Sequence, residues 1–207
     1  SGLGAITGAL FSYLKAGDHL LMTDSAYSPT RRFCNSILRR FGIETTFYDP
    51  LISSGIQKYF RQNTKVVFTE SPGSHTFEVQ DIPSIADVAH AHGAKVIMDN
   101  TWASPLFFKP FKHGVDVSIQ SGTKYIVGHA DAMLGTVCTN KESWHELLTC
   151  TGFLGQCSGP DDLYLAQRGF RTLSVRLRQH QASALKLAEW LQNRQEVNQV
   201  LYPALEG

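Results

Sequence analysis

The sequence predicts an α/β fold in which a mainly parallel sheet is covered by helices on both faces. Short apolar and β-branched runs typical of buried strands alternate along the chain with amphipathic segments of helical spacing, and glycine or proline separates most of them. Parallel neighbouring strands need crossover connections, which the helical segments supply. With 207 residues, 43% of them hydrophobic, the chain can bury the core of one large domain.

The first half of the chain begins with a predicted helix in which Ile6, Ala9, Leu10, Tyr13 and Leu14 repeat at i, i+3, i+4 spacing. Glycines end this helix and the next one, since a residue after a helix commonly adopts a left-handed conformation. The predicted elements are a helix over 4–15, a strand over 20–22, a helix over 29–41, a strand over 43–48, a short helix over 56–60 and a strand over 65–71.

The second half continues the alternation and then becomes helical. Pro83 suits the first turn of a helix, and Gly93 ends that helix. The predicted elements are a helix over 83–92, strands over 95–99, 115–120 and 133–138, helical structure from about 142, and a long amphipathic helix over 172–193.

The composition argues against nucleic acids and membranes as binding partners of the protein. Lys and Arg number 19 against 18 Asp and Glu, so a net charge of +1 gives no field that would attract nucleic acid or an anionic membrane. No apolar run approaches the roughly 20 residues of a membrane span, and no secretory leader is evident. The four cysteines form no C-x-x-C pair, which predicts reduced, apolar core residues. We therefore expect a cytoplasmic protein that binds small molecules or other subunits.

Polar residues that follow predicted strands are the first candidates for chemistry, because ligands bind at the carboxyl ends of parallel strands. Glu70, Asp99 and the Gln120–Lys124 segment follow three such strands. A lone Asp after a strand is more often a cap or turn residue, and a lone Lys is usually a solvated surface charge. Their combination at one edge favours a functional site.

A phosphate cradle accompanies these groups. Gly2–Gly8 is a glycine-rich helix start, whose backbone N–H groups can bind an anion, and Ser121 and Thr123 flank Lys124 with hydroxyl groups. The set then contains an amine for an aldehyde, a carboxylate for a ring nitrogen and a cradle for a phosphate. Pyridoxal phosphate (PLP) requires these three groups.

The run Ser121–Asp131, Ser-Gly-Thr-Lys-Tyr-Ile-Val-Gly-His-Ala-Asp, resembles the signature of the Cys/Met metabolism, or transsulfuration, family of PLP enzymes. The resemblance extends over essentially all 207 residues and implies the fold-type I large domain with a seven-stranded type of sheet. It implies Lys124 as the Schiff-base lysine, Asp99 as the ring-nitrogen partner and Tyr27 as the residue that stacks on the ring. The implied phosphate contacts are Ser121, Thr123 and the backbone N–H groups of Gly2 and Leu3.

The turn Glu70–Thr76 lacks the Asn-Pro pair that most γ-acting members carry, and so resembles the bacterial cystathionine β-lyase branch. That branch cleaves L-cystathionine to homocysteine, pyruvate and ammonia in methionine biosynthesis, with Lys124, Tyr27 and Asp99 as the catalytic residues. The resemblance also implies that 1–207 is the PLP-binding large domain, without the N-terminal arm or the C-terminal small domain. Segment 172–207 would be the long helix and the start of the connection to the small domain. The implied assembly is a homotetramer whose dimers share active sites.

Other interpretations stay open at this point. Another transsulfuration reaction, such as that of a γ-lyase or γ-synthase, uses the same cofactor site. Gly2-x-Gly4-x-x-x-Gly8 could suggest an NAD-dependent oxidoreductase, although the spacing departs from G-x-G-x-x-G. A catalytically inert PLP-fold module is a third alternative. No metal site is expected, because His90 and His92 lie two apart on a predicted helix. The arginines of the C-terminal region are expected on a solvated or subunit-facing surface: 168, 171, 176 and 178.

Overall fold

The computed structural model describes residues 1–205, and its centre is a six-stranded sheet with the order β2-β1-β3-β4-β5-β6. All neighbouring strands are parallel except β6, which runs antiparallel to β5. The strands are β1 (His19–Thr23), β2 (Glu44–Tyr48), β3 (Thr64–Glu70), β4 (Lys95–Asp99), β5 (Val117–Gln120) and β6 (Thr136–Thr139). The predicted mainly parallel α/β fold is confirmed.

Seven α-helices surround the sheet in this part of the chain. They are α1 (Gly2–Tyr13), α2 (Ser28–Phe33), α3 (Ile82–Ala91), α4 (Ser104–Phe107), α5 (Trp144–Phe153), α6 (Pro160–Phe170) and α7 (Leu173–Gln192). A π-helical segment, Cys34–Leu38, continues α2, so the predicted helix over 29–41 is present with a wider middle turn. Short 3-10 helices lie at Ser53–Tyr59 and Pro110–His113. The first of these replaces the short helix predicted over 56–60.

The sheet separates two apolar cores because successive strand side chains point to opposite faces. Leu20, Met22, Val66 and Phe68 pack with α1 in one core. Their neighbours, including Leu21, pack with α3 in the other core. Both faces of the sheet are therefore covered, as predicted, and the polar residues that end the strands are left at its carboxyl edge.

Two expectations about the sheet were wrong. Residues 1–205 contain six strands rather than seven, because every other apolar segment in this range is helical or lies in a loop. The strand predicted over 133–138 begins only at Thr136. The backbone N–H and C=O of Leu134 both bond the hydroxyl of Thr123, so this part of the chain cannot also pair with β5.

The cysteine expectation was right for one residue only. All four are free thiols, but only Cys34 is buried in the core, while Cys150 is half-buried and Cys138 and Cys157 are exposed. Cys138 lies on β6, whose outer edge has no partner strand within residues 1–205. Among the same residues, no helix has both the length and the apolarity needed to cross a lipid bilayer.

Candidate active site

The carboxyl ends of β3, β4 and β5 bring the predicted site residues to one edge of the sheet. Glu70 is the last residue of β3 and pairs in register with Asp99, the last residue of β4. Asp99 pairs in turn with Ile119 of β5, and Ser121 opens the turn that carries Lys124. Adjacent strands lie about 4.8 Å apart. The backbone of the sheet thus fixes the spacing of these groups.

Asp99 is buried, and one of its carboxylate oxygens is held by the next loop. Its Oδ1 accepts hydrogen bonds from the backbone N–H of Thr101 at 3.0 Å and from the Thr101 hydroxyl at 2.5 Å. Burial raises the pKa of Asp99, and the two bonds from Thr101 only partly oppose this effect. Since Oδ2 accepts no hydrogen bond from residues 1–205, it is available to a cationic or N–H group of a ligand.

Thr101 also connects Asp99 to the lysine turn, which is the segment 121–128 that carries Lys124. Its hydroxyl oxygen accepts the backbone N–H of Ser121 at 2.7 Å while its proton goes to Asp99. One hydroxyl therefore fixes the carboxylate of β4 relative to the segment after β5. Thr101 was not among the site residues predicted from the sequence, although its position two residues after Asp99 is the spacing of a local side-chain turn.

Glu70 is a second, half-buried carboxyl group beside Asp99. Burial, together with the negative charge of Asp99, raises the pKa of Glu70 to about 8. Its Oε2 accepts the backbone N–H of Tyr27 at 2.8 Å. Tyr27 lies directly before α2, and the residue is 45% exposed, so the ring is available to stack on a ligand. Glu70 thus links the Tyr27 backbone to the Asp99 strand end.

The N-terminus of α1 supplies the predicted phosphate cradle. The side chain of Ser1 caps the helix by accepting the N–H of Gly4, which leaves the N–H groups of Gly2 and Leu3 for a ligand. A Cβ on Gly2 would lie only 2.6 Å from Oγ of Ser121. Glycine is therefore required where the helix meets the Ser121 turn, and the Ser121 hydroxyl lies beside the free N–H groups.

The hydroxyl of Thr123, unlike that of Ser121, already forms hydrogen bonds within residues 1–205. Its hydroxyl donates to the carbonyl oxygen of Leu134 at 3.1 Å and accepts the Leu134 N–H at 2.9 Å. These bonds attach the lysine turn to the segment before β6. If Thr123 also donates to a phosphate, it must give up its bond to the Leu134 carbonyl.

Lys124 lies in a compact turn after β5. The Lys124 N–H bonds the carbonyl of Ser121 at 3.0 Å, and the Gly128 N–H bonds the carbonyl of Lys124 at 2.9 Å. The Lys124 side chain is exposed and makes no hydrogen bond or ion pair with residues 1–205. Its amine is therefore free to react.

The expectation of a purely surface role was wrong for one of the four C-terminal arginines. Arg168 does form an exposed ion pair with Asp131 at 2.9 Å. Arg176, however, bonds the backbone carbonyls of Tyr125 and Gly169 instead of facing solvent. No periodicity in the sequence separates this arginine from its neighbours, because the contact depends on how α7 packs.

The histidines of α3 lie away from these groups. His90 bonds the carboxylate of Asp116 at 2.9 Å, and His92 bonds the carbonyl of Val88 and stacks on Phe60. Within the described part of the chain, no three His, Cys, Asp or Glu side chains are arranged to hold a metal ion.

The arrangement fits PLP. A buried carboxylate with one free oxygen suits a protonated ring nitrogen, since a positive charge favours the ionised form of the acid. The free N–H groups of Gly2 and Leu3, beside the Ser121 hydroxyl, suit the phosphate, and the unengaged amine of Lys124 suits the aldehyde.

Comparisons with known proteins agree with this geometry. The cystathionine β-lyase of Salmonella typhimurium is 47% identical over 208 residues, which cover 100% of this chain and 53% of that protein. An L-alanine/L-glutamate racemase of Wolbachia pipientis is 41% identical over 99% of this chain and 50% of its own length. The crystal structure of metB from Corynebacterium glutamicum matches with a TM-score of 0.96 and 36% identity, over 100% of this chain and 54% of that one.

The chain thus spans about half the length of the curated relatives that it matches. A family model described as Cys/Met metabolism PLP-dependent enzyme matches residues 1–207. Because the match extends over the whole sequence, the chain belongs to the Cys/Met metabolism family of PLP-dependent enzymes.

Proposed function

We propose that the full-length protein is a carbon–sulfur β-lyase that cleaves L-cystathionine to homocysteine, pyruvate and ammonia. The observation that carries the proposal is the convergence of Asp99, Ser121 and Lys124 at one sheet edge in a PLP-dependent family. The absence of an Asn-Pro pair in the Glu70–Thr76 turn supports a β-lyase over a γ-acting member. The Salmonella relative named a cystathionine β-lyase supports the same choice.

Each site residue has a binding role in this proposal. Lys124 holds PLP covalently, and Asp99 Oδ2 binds the ring nitrogen while Thr101 holds Oδ1. Gly2, Leu3, Ser121 and Thr123 bind the phosphate. Tyr27 covers the ring, in a position set by the bond of its backbone N–H to Glu70.

Bound PLP supplies an electron sink that makes the Cα–H bond of an amino acid acidic. Lys124 would hold PLP through its amine before substrate binds, and the same amine, once free, would take the Cα proton of the substrate as general base. Tyr27 accepts a proton from the incoming ammonium group. Breakage of the Cβ–S bond leaves the electron pair on sulfur, which takes a proton to give homocysteine. The three-carbon remainder takes up water and leaves as pyruvate and ammonia.

Racemisation is the second candidate function, because the Wolbachia relative named a racemase is 41% identical over 99% of this chain. It requires the same removal of the Cα proton but returns a proton to the opposite face of Cα instead of expelling sulfur. A γ-lyase would instead release 2-oxobutyrate. The three outcomes therefore differ in product while sharing Lys124 and Asp99.

The remaining expectations about the whole protein stay predictions. Residues 1–207 would be the PLP-binding large domain, and 172–207 would lead into a small domain. The assembly would be a homotetramer with shared active sites, and the location would be cytoplasmic.

The proposal is tested with the full-length protein and its Lys124→Ala variant. We expect the wild type to show the visible absorption of lysine-bound PLP and to release pyruvate from L-cystathionine, whereas Lys124→Ala loses both. Borohydride reduction should fix PLP on Lys124, as mass spectrometry of the digested protein would show. PLP fixed elsewhere would overturn the role of Lys124. Release of 2-oxobutyrate, or racemisation of alanine without pyruvate, would overturn the β-lyase assignment.

A further inference from the structure

Arg176 connects α7 to the turn that carries Lys124. Its Nη2 donates to the carbonyl of Tyr125 at 2.9 Å and to the carbonyl of Gly169 at 2.8 Å. Its Nε donates to the hydroxyl of Thr172 at 3.0 Å, which holds the guanidinium in place. A single side chain of α7 therefore holds both the residue next to Lys124 and the last turn of α6.

Two glycines make room for this contact. A Cβ on Gly128 would lie 2.3 Å from Cζ of Arg176, so only glycine allows the guanidinium to lie over the turn. Gly128 has a φ of +75°, which also favours glycine. A Cβ on Gly169 would lie 2.1 Å from the carbonyl oxygen of Val127, which shows how closely α6 approaches the same turn.

These contacts lie directly on the C-terminal side of Lys124. The carbonyl of Tyr125, directly after the lysine, is bonded by Arg176. The N–H of Gly128, which lies under the guanidinium, bonds the carbonyl of Lys124 itself. Since the Lys124 side chain has no bond of its own to residues 1–205, its direction depends on how firmly this turn is held.

We propose that Arg176 is a positioning residue that holds the Lys124 turn in the geometry needed for proton transfer. The inference rests on the proposed role of Lys124 and extends it to a residue on a different helix. A lysine cannot replace the arginine fully, because its ammonium group lacks the rigid guanidinium plane, in which Thr172 holds Nε while Nη2 reaches the two carbonyls. Loss of the tether should lower the rate more than the affinity, since a displacement of about 1 Å can cost about a hundredfold in rate.

The test uses the full-length protein with PLP and three variants, Arg176→Ala, Arg176→Lys and Gly128→Ala. Arg178→Ala is the matched control, because Arg178 lies on the same helix, is exposed and makes no hydrogen bond or ion pair with residues 1–205. The readouts are kcat and KM, the pH midpoint of the visible absorption of lysine-bound PLP, and amide hydrogen exchange over 124–128 in the cofactor-free protein.

We expect Arg176→Ala to lower kcat about tenfold to a hundredfold with little change in KM, to shift the pH midpoint and to speed exchange over 124–128. Arg176→Lys should be intermediate. Gly128→Ala should resemble Arg176→Ala. The kcat of the double variant Arg176→Ala/Gly128→Ala should be only slightly lower than that of the more severe single variant, because both changes break the same contact.

If Arg176→Ala had the same kcat and the same pH midpoint as the control Arg178→Ala, the proposal would be overturned. A lower melting temperature with unchanged kcat and midpoint would do the same, since it indicates a structural role only. If Arg176→Ala does not fold, Arg176→Lys and Gly128→Ala carry the comparison. A wild type without Lys124-dependent absorption would instead refute the proposed function, and exchange over 124–128 would still decide whether Arg176 holds the turn.

Discussion

Glu70 and Asp99 end neighbouring parallel strands in register, so a half-buried and a buried carboxyl group lie side by side at the carboxyl edge of the sheet. Such a pair resists double ionisation, because burial and like charge both favour the protonated form. In agreement, the pKa of Glu70 is raised to about 8 and that of Asp99 is also raised.

This pair predicts how the stability of the cofactor-free protein depends on pH. The folded chain keeps a proton on Glu70 that the unfolded chain releases above its ordinary pKa of 4.5. Stability should therefore fall as the pH rises from 4.5 to about 8. The pKa of His19 is lowered by burial from 6.5 to about 4, which gives the opposite trend below pH 6.5. Between pH 6.5 and about 8, the effect of Glu70 on stability is therefore not opposed by that of His19.

Melting curves of the wild type and of Glu70→Gln over this interval provide the measurement. Glutamine keeps an oxygen for the Tyr27 N–H but has no titratable proton, so we expect Glu70→Gln to reduce the loss of stability with pH. Glu142→Gln changes an exposed glutamate and is the control. If the melting temperature changed equally with pH in the wild type and in Glu70→Gln, the raised pKa of Glu70 would be refuted.

Asp99→Asn should lower kcat by at least about a hundredfold while PLP remains bound. The amide keeps an oxygen for the bonds from Thr101 but cannot supply the negative charge that stabilises a protonated ring nitrogen. Steady-state kinetics together with the dissociation constant of PLP separate the two effects. Near-normal kcat in this variant would exclude Asp99 as the partner of the ring nitrogen.

Thr101→Val removes one hydroxyl and keeps the shape of the side chain. The Asp99 carboxylate then loses a donor and the Ser121 N–H loses its acceptor, which should cost about 1–3 kcal/mol of stability if that N–H stays buried and unpaired. We also expect weaker PLP binding, because Asp99 and the lysine turn are no longer connected. Denaturant unfolding and PLP titration measure the two effects.

Thr151→Val is the control for this change, since the Thr151 hydroxyl bonds only carbonyls of its own helix, those of Leu147 and Leu148. If Thr101→Val behaved like this control in both measurements, the connecting role of the Thr101 hydroxyl would be refuted.

Gly2→Ala should weaken PLP binding about tenfold or more. The new methyl group would lie 2.6 Å from Oγ and 3.1 Å from Cα of Ser121, so side chain and backbone both have to move at the phosphate cradle. Gly4→Ala is a matched control on the same helix, because its nearest neighbour is Ser1 Oγ at 3.5 Å. Alanine at position 4 should even stabilise the helix, by up to about 1 kcal/mol. Equal PLP affinities in the two variants would argue against a cradle at Gly2.

Much of the site could be predicted because strand ends are visible in a sequence. An apolar run followed by a polar residue places Glu70, Asp99 and Ser121 at one edge once the sheet is parallel. The side-chain period of two likewise predicts two cores. What could not be predicted depends on contacts between distant segments. Arg176 differs from the exposed Arg178 only because α7 turns it toward Tyr125.

The late start of β6 has the same cause, since Met133 and Leu134 are as apolar as strand residues. The hydroxyl of Thr123 takes both backbone groups of Leu134, a competition that no local pattern reveals. The exposure of Cys138 also follows from the position of β6 at the edge of the sheet, which hydrophobicity alone does not indicate.

The ends of β3, β4 and β5 are held in register by the backbone hydrogen bonds of the sheet, which set the spacing of the residues at these ends. Side chains on the surrounding loops can change without altering this register, because the spacing of the strands does not depend on them. Loop side chains that contact a substrate can therefore change while Asp99 keeps its place beside the end of β5. This separation accounts for how relatives that carry the names of a lyase and a racemase can share one scaffold.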